Sequence, residues 1–94
     1  MRLSEEEIEI IQKSTGEFFA AASVYLFGSR LVDTKKGGDI DLFVITQEPV
    51  DLERKLRFKS KLHALLHKPV DVVFHKDYSR TIEQEAMAGV QIVS

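Results

Sequence analysis

Hydrophobic and polar positions recur along the chain with two spacings, and each change of spacing marks a predicted element. Ser4 followed by Glu7 is the Ser-x-x-Glu signature of a helix start, so a helix is predicted from Ser4. Ile8, Ile11 and Phe18 or Phe19 fall at helical spacing and would form its inner face, with Gly16 expected to interrupt it. Residues 23–27, SVYLF, form a short β-prone run halted by Gly28-Ser29. A brief helix over residues 29–34 and a basic loop, Lys35-Lys36-Gly37-Gly38, lead into a second strand over residues 39–45, which Pro49 closes. Asp51 is the expected N-cap of the longest helix, residues 51–67, and Pro69 stops it. Residues 70–74, VDVVF, alternate as a third strand. A helix over residues 79–88 ends at Gly89, and residues 90–93 make a last strand. Alternating helices and strands predict an α/β (α+β) fold: a small mixed sheet of three to four strands flanked by helices. Loop lengths leave open which neighbouring strands run parallel.

The longest helix carries two faces. At about 100° per residue, Leu52, Leu56, Phe58, Leu62, Leu65 and Leu66 share one broad side, the expected core contact. Arg54, Arg57, Lys61 and Lys68 gather as a stripe at the edge of the other side. A solvated face explains such a stripe; a contact surface for phosphate, RNA or an acidic partner is the alternative.

Composition narrows the class. Ninety-four residues suit one domain, residues 1–94, with one modest core. The net charge of −2 gives no global case for nucleic acid or membrane binding. The absence of cysteine excludes disulfides and thiolate metal sites. The acidic N-terminus does not resemble a signal peptide and no apolar run approaches spanning length, so a cytoplasmic location is expected.

Against this background the stretch FGSRLVDTKKGGDIDLFVI stands out, because Asp39 and Asp41 enter an otherwise apolar strand. Unpaired carboxylates are costly to bury and close pairs repel. Alternate strand residues share a face, so both acids would point one way while Ile40, Leu42 and Val44 enter the core. Oxygen ligands of this kind suit magnesium or manganese. Asp71 alternates against Val70, Val72 and Phe74 in the same manner; if its strand lies beside the Asp39 strand, three carboxylates can hold two metals, as in-line phosphoryl transfer requires. Gly28-Ser29 follows a strand and is expected to open a helix, so its backbone N–H groups and the Ser29 hydroxyl can face a phosphate. Arg30, Lys35 and Lys36 lie close by in sequence.

Each feature has a plainer explanation. The acids can be a solvated strand start, Asp71 a strand-edge residue after Pro69, Ser29 a helix N-cap, and the lysines a solvated loop. The combination is more specific than its parts: Gly-Ser after a strand, nine residues from Ser29 to Asp39, then a later strand acid. His63 and His67 are four apart on a helix, but H-A-L-L-H lacks the glutamate of H-E-x-x-H chemistry. Glu83 and Glu85 are expected on the exposed face of the last helix. Met87 and Val90 are expected in the core, with an exposed patch as the alternative.

"FGS" followed by "GDIDLFV", with Asp71 in "PVDVVF", resembles the nucleotidyltransferase fold of the DNA polymerase beta superfamily over roughly residues 20–93. The compact length, "FGSR" and the ending "IEQEAMAGVQIV" are most similar to the minimal nucleotidyltransferases, many of which are antitoxins paired with HEPN-domain toxins. The resemblance implies that Gly28, Ser29 and Arg30 bind nucleotide phosphates and that Asp39, Asp41 and Asp71 hold two Mg2+ ions. It further implies that Asp71 helps deprotonate the attacking hydroxyl and that ATP is the substrate. The implied reaction is AMP transfer to a hydroxyl on a partner protein, a HEPN-type toxin. A binding module that neutralises its partner by contact alone is the competing reading, as is transfer to RNA or a small molecule, with nucleic acid the less favoured partner. Homo-oligomer formation stays open.

Overall fold

The computed structural model describes residues 3–28 and 40–94. The elements are α1 (Glu5–Phe18), β1 (Ala22–Phe27), β2 (Ile40–Thr46), α2 (Leu52–Leu66), β3 (Val70–Phe74), α3 (Thr81–Met87) and β4 (Val90–Val93). The brief helix expected over residues 29–34 and the Lys35-Lys36 loop lie outside the described residues. The four strands form one sheet in the order β3-β2-β1-β4. β1 runs antiparallel to both β2 and β4, while β2 and β3 run parallel, so the sheet is mixed, as expected. The parallel pair is joined through α2, the crossover that parallel neighbours need. Among the described residues no helix is long and apolar enough to cross a membrane.

Local signals start the helices where expected. Ser4 Oγ accepts the Glu7 N–H and Glu7 Oε1 accepts the Ser4 N–H, a complete capping box. Asp51 Oδ1 accepts the Arg54 N–H at 2.8 Å and starts α2. Two expectations about helices fail. Gly16 does not interrupt α1, which runs unbroken to Phe18; the glycine sits on the exposed side, where its weak helix propensity is tolerated because the Ile11 face is buried. On α2 only Phe58, Leu62 and Leu66 of the apolar side are buried, whereas Leu52, Leu56 and Leu65 are exposed. α2 packs against α1 and β3 along a stripe about 100° wide, narrower than the side the leucines span.

The sheet has two unequal faces. Val24 and Leu26 of β1, Ile40, Leu42 and Val44 of β2, and Val70 of β3 turn toward α1 and α2 and meet Ile11, Phe19, Phe58 and Leu62 in the main core. The opposite face is covered by α3, where Phe27, Phe43 and Ala86 are buried beside Tyr25, Val73 and Ile82. Because alternate residues change face, Asp41 and Asp71 belong to this second face. Gly89 lets the chain return close against β1, since a Cβ there would strike the Leu26 carbonyl oxygen.

Candidate active site

β1 ends at Phe27, which pairs with Asp41 across the antiparallel ladder. Asp41 in turn pairs with Asp71 across the parallel ladder. Register-matched residues on neighbouring strands share a face, so the two carboxylates stand side by side at the starts of β2 and β3. Gly28 follows at φ +79, in the left-handed region that favours glycine. A Cβ built on Gly28 would collide with Asp41 Oδ2, so the carboxylate occupies the space a side chain would need. Gly28, Asp41 and Asp71 thus form one continuous row.

Asp41 is half-buried, and the Asp71 side chain is 56% exposed. Lys59 of α2 places its Nζ 3.9 Å from Asp71 Oδ1. The donor set fits a hard divalent cation: two carboxylates on one face, open to solvent on one side and backed by a glycine that lets a phosphate approach. Asp41 and Asp71 would hold such an ion. Of the residues expected at the site, Gly28, Asp41 and Asp71 are brought together, while Ser29, Arg30 and Asp39 lie outside the described residues. Among the described residues no three or more His, Cys, Asp or Glu side chains cluster as metal ligands.

The other expectations resolve differently. The basic stripe of α2 is neutralised within the molecule: Arg54 pairs with Glu48 at 2.7 Å, Arg57 with Glu53 at 3.6 Å, Lys61 with Glu17 at 2.9 Å, and Lys68 with Glu7 at 2.6 Å. His67 ends α2 in the left-handed conformation, φ 56, and with His63 is solvent-exposed. Met87 and Val90, expected in the core, are 42% and 40% exposed: α3 covers the second face with Ile82 and Ala86 instead, and Val90 begins the outer strand β4.

Glu83 departs furthest from expectation. It is fully buried, not on the exposed face of α3. Its carboxylate accepts the N–H groups of Lys76 and Asp77, each at 2.9 Å, and pairs with Arg80 Nη1 at 2.9 Å and His75 Nδ1 at 2.6 Å. Burial by itself would raise its pKa; the Asp77 N–H, the His75 ring and the Lys76 N–H outweigh it and bring the value down to about 2. This knot secures the link between β3 and α3 at the end of β3 away from Asp71, so it supports the site's scaffold and not its chemistry. A signal was present: Glu83 lies about 60° around the helix from Ala86, on the flank of the apolar side.

Comparison with known proteins adds the family. The profile described as Polymerase beta, Nucleotidyltransferase matches residues 6–94. No curated protein sequence matches the chain. Among solved structures, a complex of tri-AMPylated Shewanella oneidensis HEPN toxin with MNT antitoxin aligns with a TM-score of 0.78 at 23% identity, covering 96% of this chain and 71% of that one. The toxin–antitoxin MntA–HepT aligns at 0.74 and 20% identity, covering 95% and 71%. A toxin–antitoxin structure with AMP-PNP aligns at 0.76 and 24% identity, covering 96% and 73%. At these identities the structures speak to the fold. The profile spans nearly the whole chain and includes the paired strand acids, and on that ground the chain belongs to the polymerase-beta-type nucleotidyltransferase family.

Proposed function

We propose that the chain is a magnesium-dependent nucleotidyltransferase that moves AMP from ATP onto a hydroxyl of a partner protein, and that the partner is a HEPN-type toxin which it neutralises. The observation that carries the reading is Asp41 set between Gly28 and the register-matched Asp71. The acceptor and the nucleotide are suggested by the similar structures, one with an AMPylated HEPN toxin and one with AMP-PNP.

In this mechanism Asp39, Asp41 and Asp71 would hold two magnesium ions, whose chemistry would be to offset the triphosphate charge and lower the pKa of the attacking hydroxyl. The Gly28 and Ser29 N–H groups and the Arg30 guanidinium orient the phosphates. The acceptor oxygen bonds to the α-phosphorus as its proton passes to the Asp71 carboxylate. The bond from the α-phosphorus to its bridging oxygen breaks, and pyrophosphate leaves with the electron pair. Placing nucleotide and hydroxyl in line supplies much of the acceleration.

The test uses ATP labelled at the α-phosphate, magnesium, and lysate of the protein's own source. A labelled protein band is expected with the wild-type chain. Asp41→Asn and Asp71→Asn should each lower its rate of appearance by more than about a hundredfold, the scale of several kcal/mol of lost charge stabilisation. Label in RNA would redirect the assignment to a nucleic-acid acceptor. A partner captured equally by wild type and Asp41→Asn, with no label in either, would leave a binding module.

A further inference from the structure

The cations of α2 are mostly engaged away from the acids. Arg54, Arg57 and Lys61 pair with glutamates, and Lys55 Nζ lies 5.1 Å from the centre of the Phe74 ring. Lys59 is different: it pairs with Asp71, a carboxylate of the candidate site. α2 packs on the main-core face, whereas Asp71 belongs to the other. Because β3 is the outermost strand, the Lys59 side chain reaches its partner around an open sheet edge. Among the described residues no strand lies beyond β3 at that edge.

Resting on the proposed function, we infer that Lys59 is a built-in placeholder cation, which holds Asp71 while the site lacks metal and is handed to the triphosphate when a divalent ion takes its place. The geometry suits an exchange. Nζ to Oδ1 is 3.9 Å and the two side chains are 50% and 56% exposed, so the pair is weak enough for a doubly charged ion to displace. Two carboxylates side by side repel each other, and a nearby ammonium relieves that repulsion. A divalent ion on Asp71 would repel the same ammonium, and the polyphosphate of the nucleotide would offer it a compensating charge. The flexible four-carbon stem of lysine allows that swing, and its ammonium binds phosphate as a point charge.

The exchange predicts effects of opposite sign from one substitution, which a purely structural lysine would not produce. Mn2+ binding is followed by its paramagnetic resonance signal, first alone and then with α,β-methylene ATP, whose bridging carbon blocks transfer. Lys59→Met should bind Mn2+ alone about two- to fivefold more tightly than wild type, since a competitor is gone. The same variant should bind the analogue in saturating Mn2+ several-fold more weakly, and Lys59→Arg should restore part of both values. Unchanged or weakened Mn2+ binding in Lys59→Met, with Asp71→Asn still reducing it, would overturn the placeholder role and leave the metal site standing. Mn2+ binding that ignores both Asp41→Asn and Asp71→Asn would overturn the site itself, and the placeholder with it. Circular dichroism of each variant confirms that the sheet is retained.

Discussion

Gly28 and Asp41 compete for one small volume. The left-handed φ at Gly28 puts the missing side chain where the Asp41 carboxylate lies, so the glycine is needed twice: for backbone freedom and for room. Gly28→Ala should cost about 1–2 kcal/mol, the strain of a left-handed non-glycine residue, read from urea unfolding. The collision involves the far end of a side chain that can rotate, so most of the damage should be functional: the carboxylate is pushed off the row it forms with Asp71. Mn2+ affinity should therefore fall by more than tenfold, beyond what a stability loss of this size accounts for in a protein that stays folded. Equal affinity in Gly28→Ala and wild type would separate Gly28 from the site. At this scale the sequence was informative about Asp41 and Asp71, because a carboxylate in an apolar strand violates the pattern around it. It was silent about Lys59, whose partner depends on β3 being an outer strand, a property of topology that no local spacing encodes.

Elements were legible where a cap or a proline marks them and less so where one side of a helix must be apportioned between core and solvent. Ser4, Asp51 and Pro69 act on their immediate neighbours, so α1 begins, and α2 begins and ends, close to expectation. The leucines of α2 and the inward turn of Glu83 depend on how widely the sheet covers each helix, which emerges only on packing. The Glu83 knot has a pH signature. Its folded pKa of about 2 lies below the ordinary carboxylate value, so its contribution is complete above about pH 4.5 and is lost as pH falls toward 2. Glu83→Gln should be less stable than wild type by about 3 kcal/mol at pH 7, because Arg80, His75 and two backbone N–H groups lose a charged acceptor. Urea midpoints at pH 7, 5 and 3 should converge for the two proteins toward the acid end. A gap that stays constant with pH would show that shape, and not ionisation, is what Glu83 contributes.

Across the whole molecule, the main core and the candidate site lie on opposite faces of one sheet. The main core is stitched by aromatic rings, with Phe58 edge-on to Phe18 and Phe19 at centroid distances of 5.5 and 5.1 Å and to Phe74 at 6.5 Å. Asp41 and Asp71 sit across the sheet, beyond the part that α3 covers. A domain of this size has a total stability of about 5–14 kcal/mol, so one core ring is a large share of it. Phe58→Ala should cost about 3–5 kcal/mol, whereas Leu56→Ser, two residues earlier on the same helix but 54% exposed, should stay within about 0.5 kcal/mol of wild type. Among the described residues the two faces meet through the strand backbones and the weak Lys59–Asp71 pair at the β3 edge, so the metal affinity of Phe58→Ala, corrected for the unfolded fraction from the urea curve, should match wild type. A corrected affinity that falls in step with stability would mean that the register of β2 against β3, and with it the spacing of the two acids, depends on how tightly the opposite face is packed.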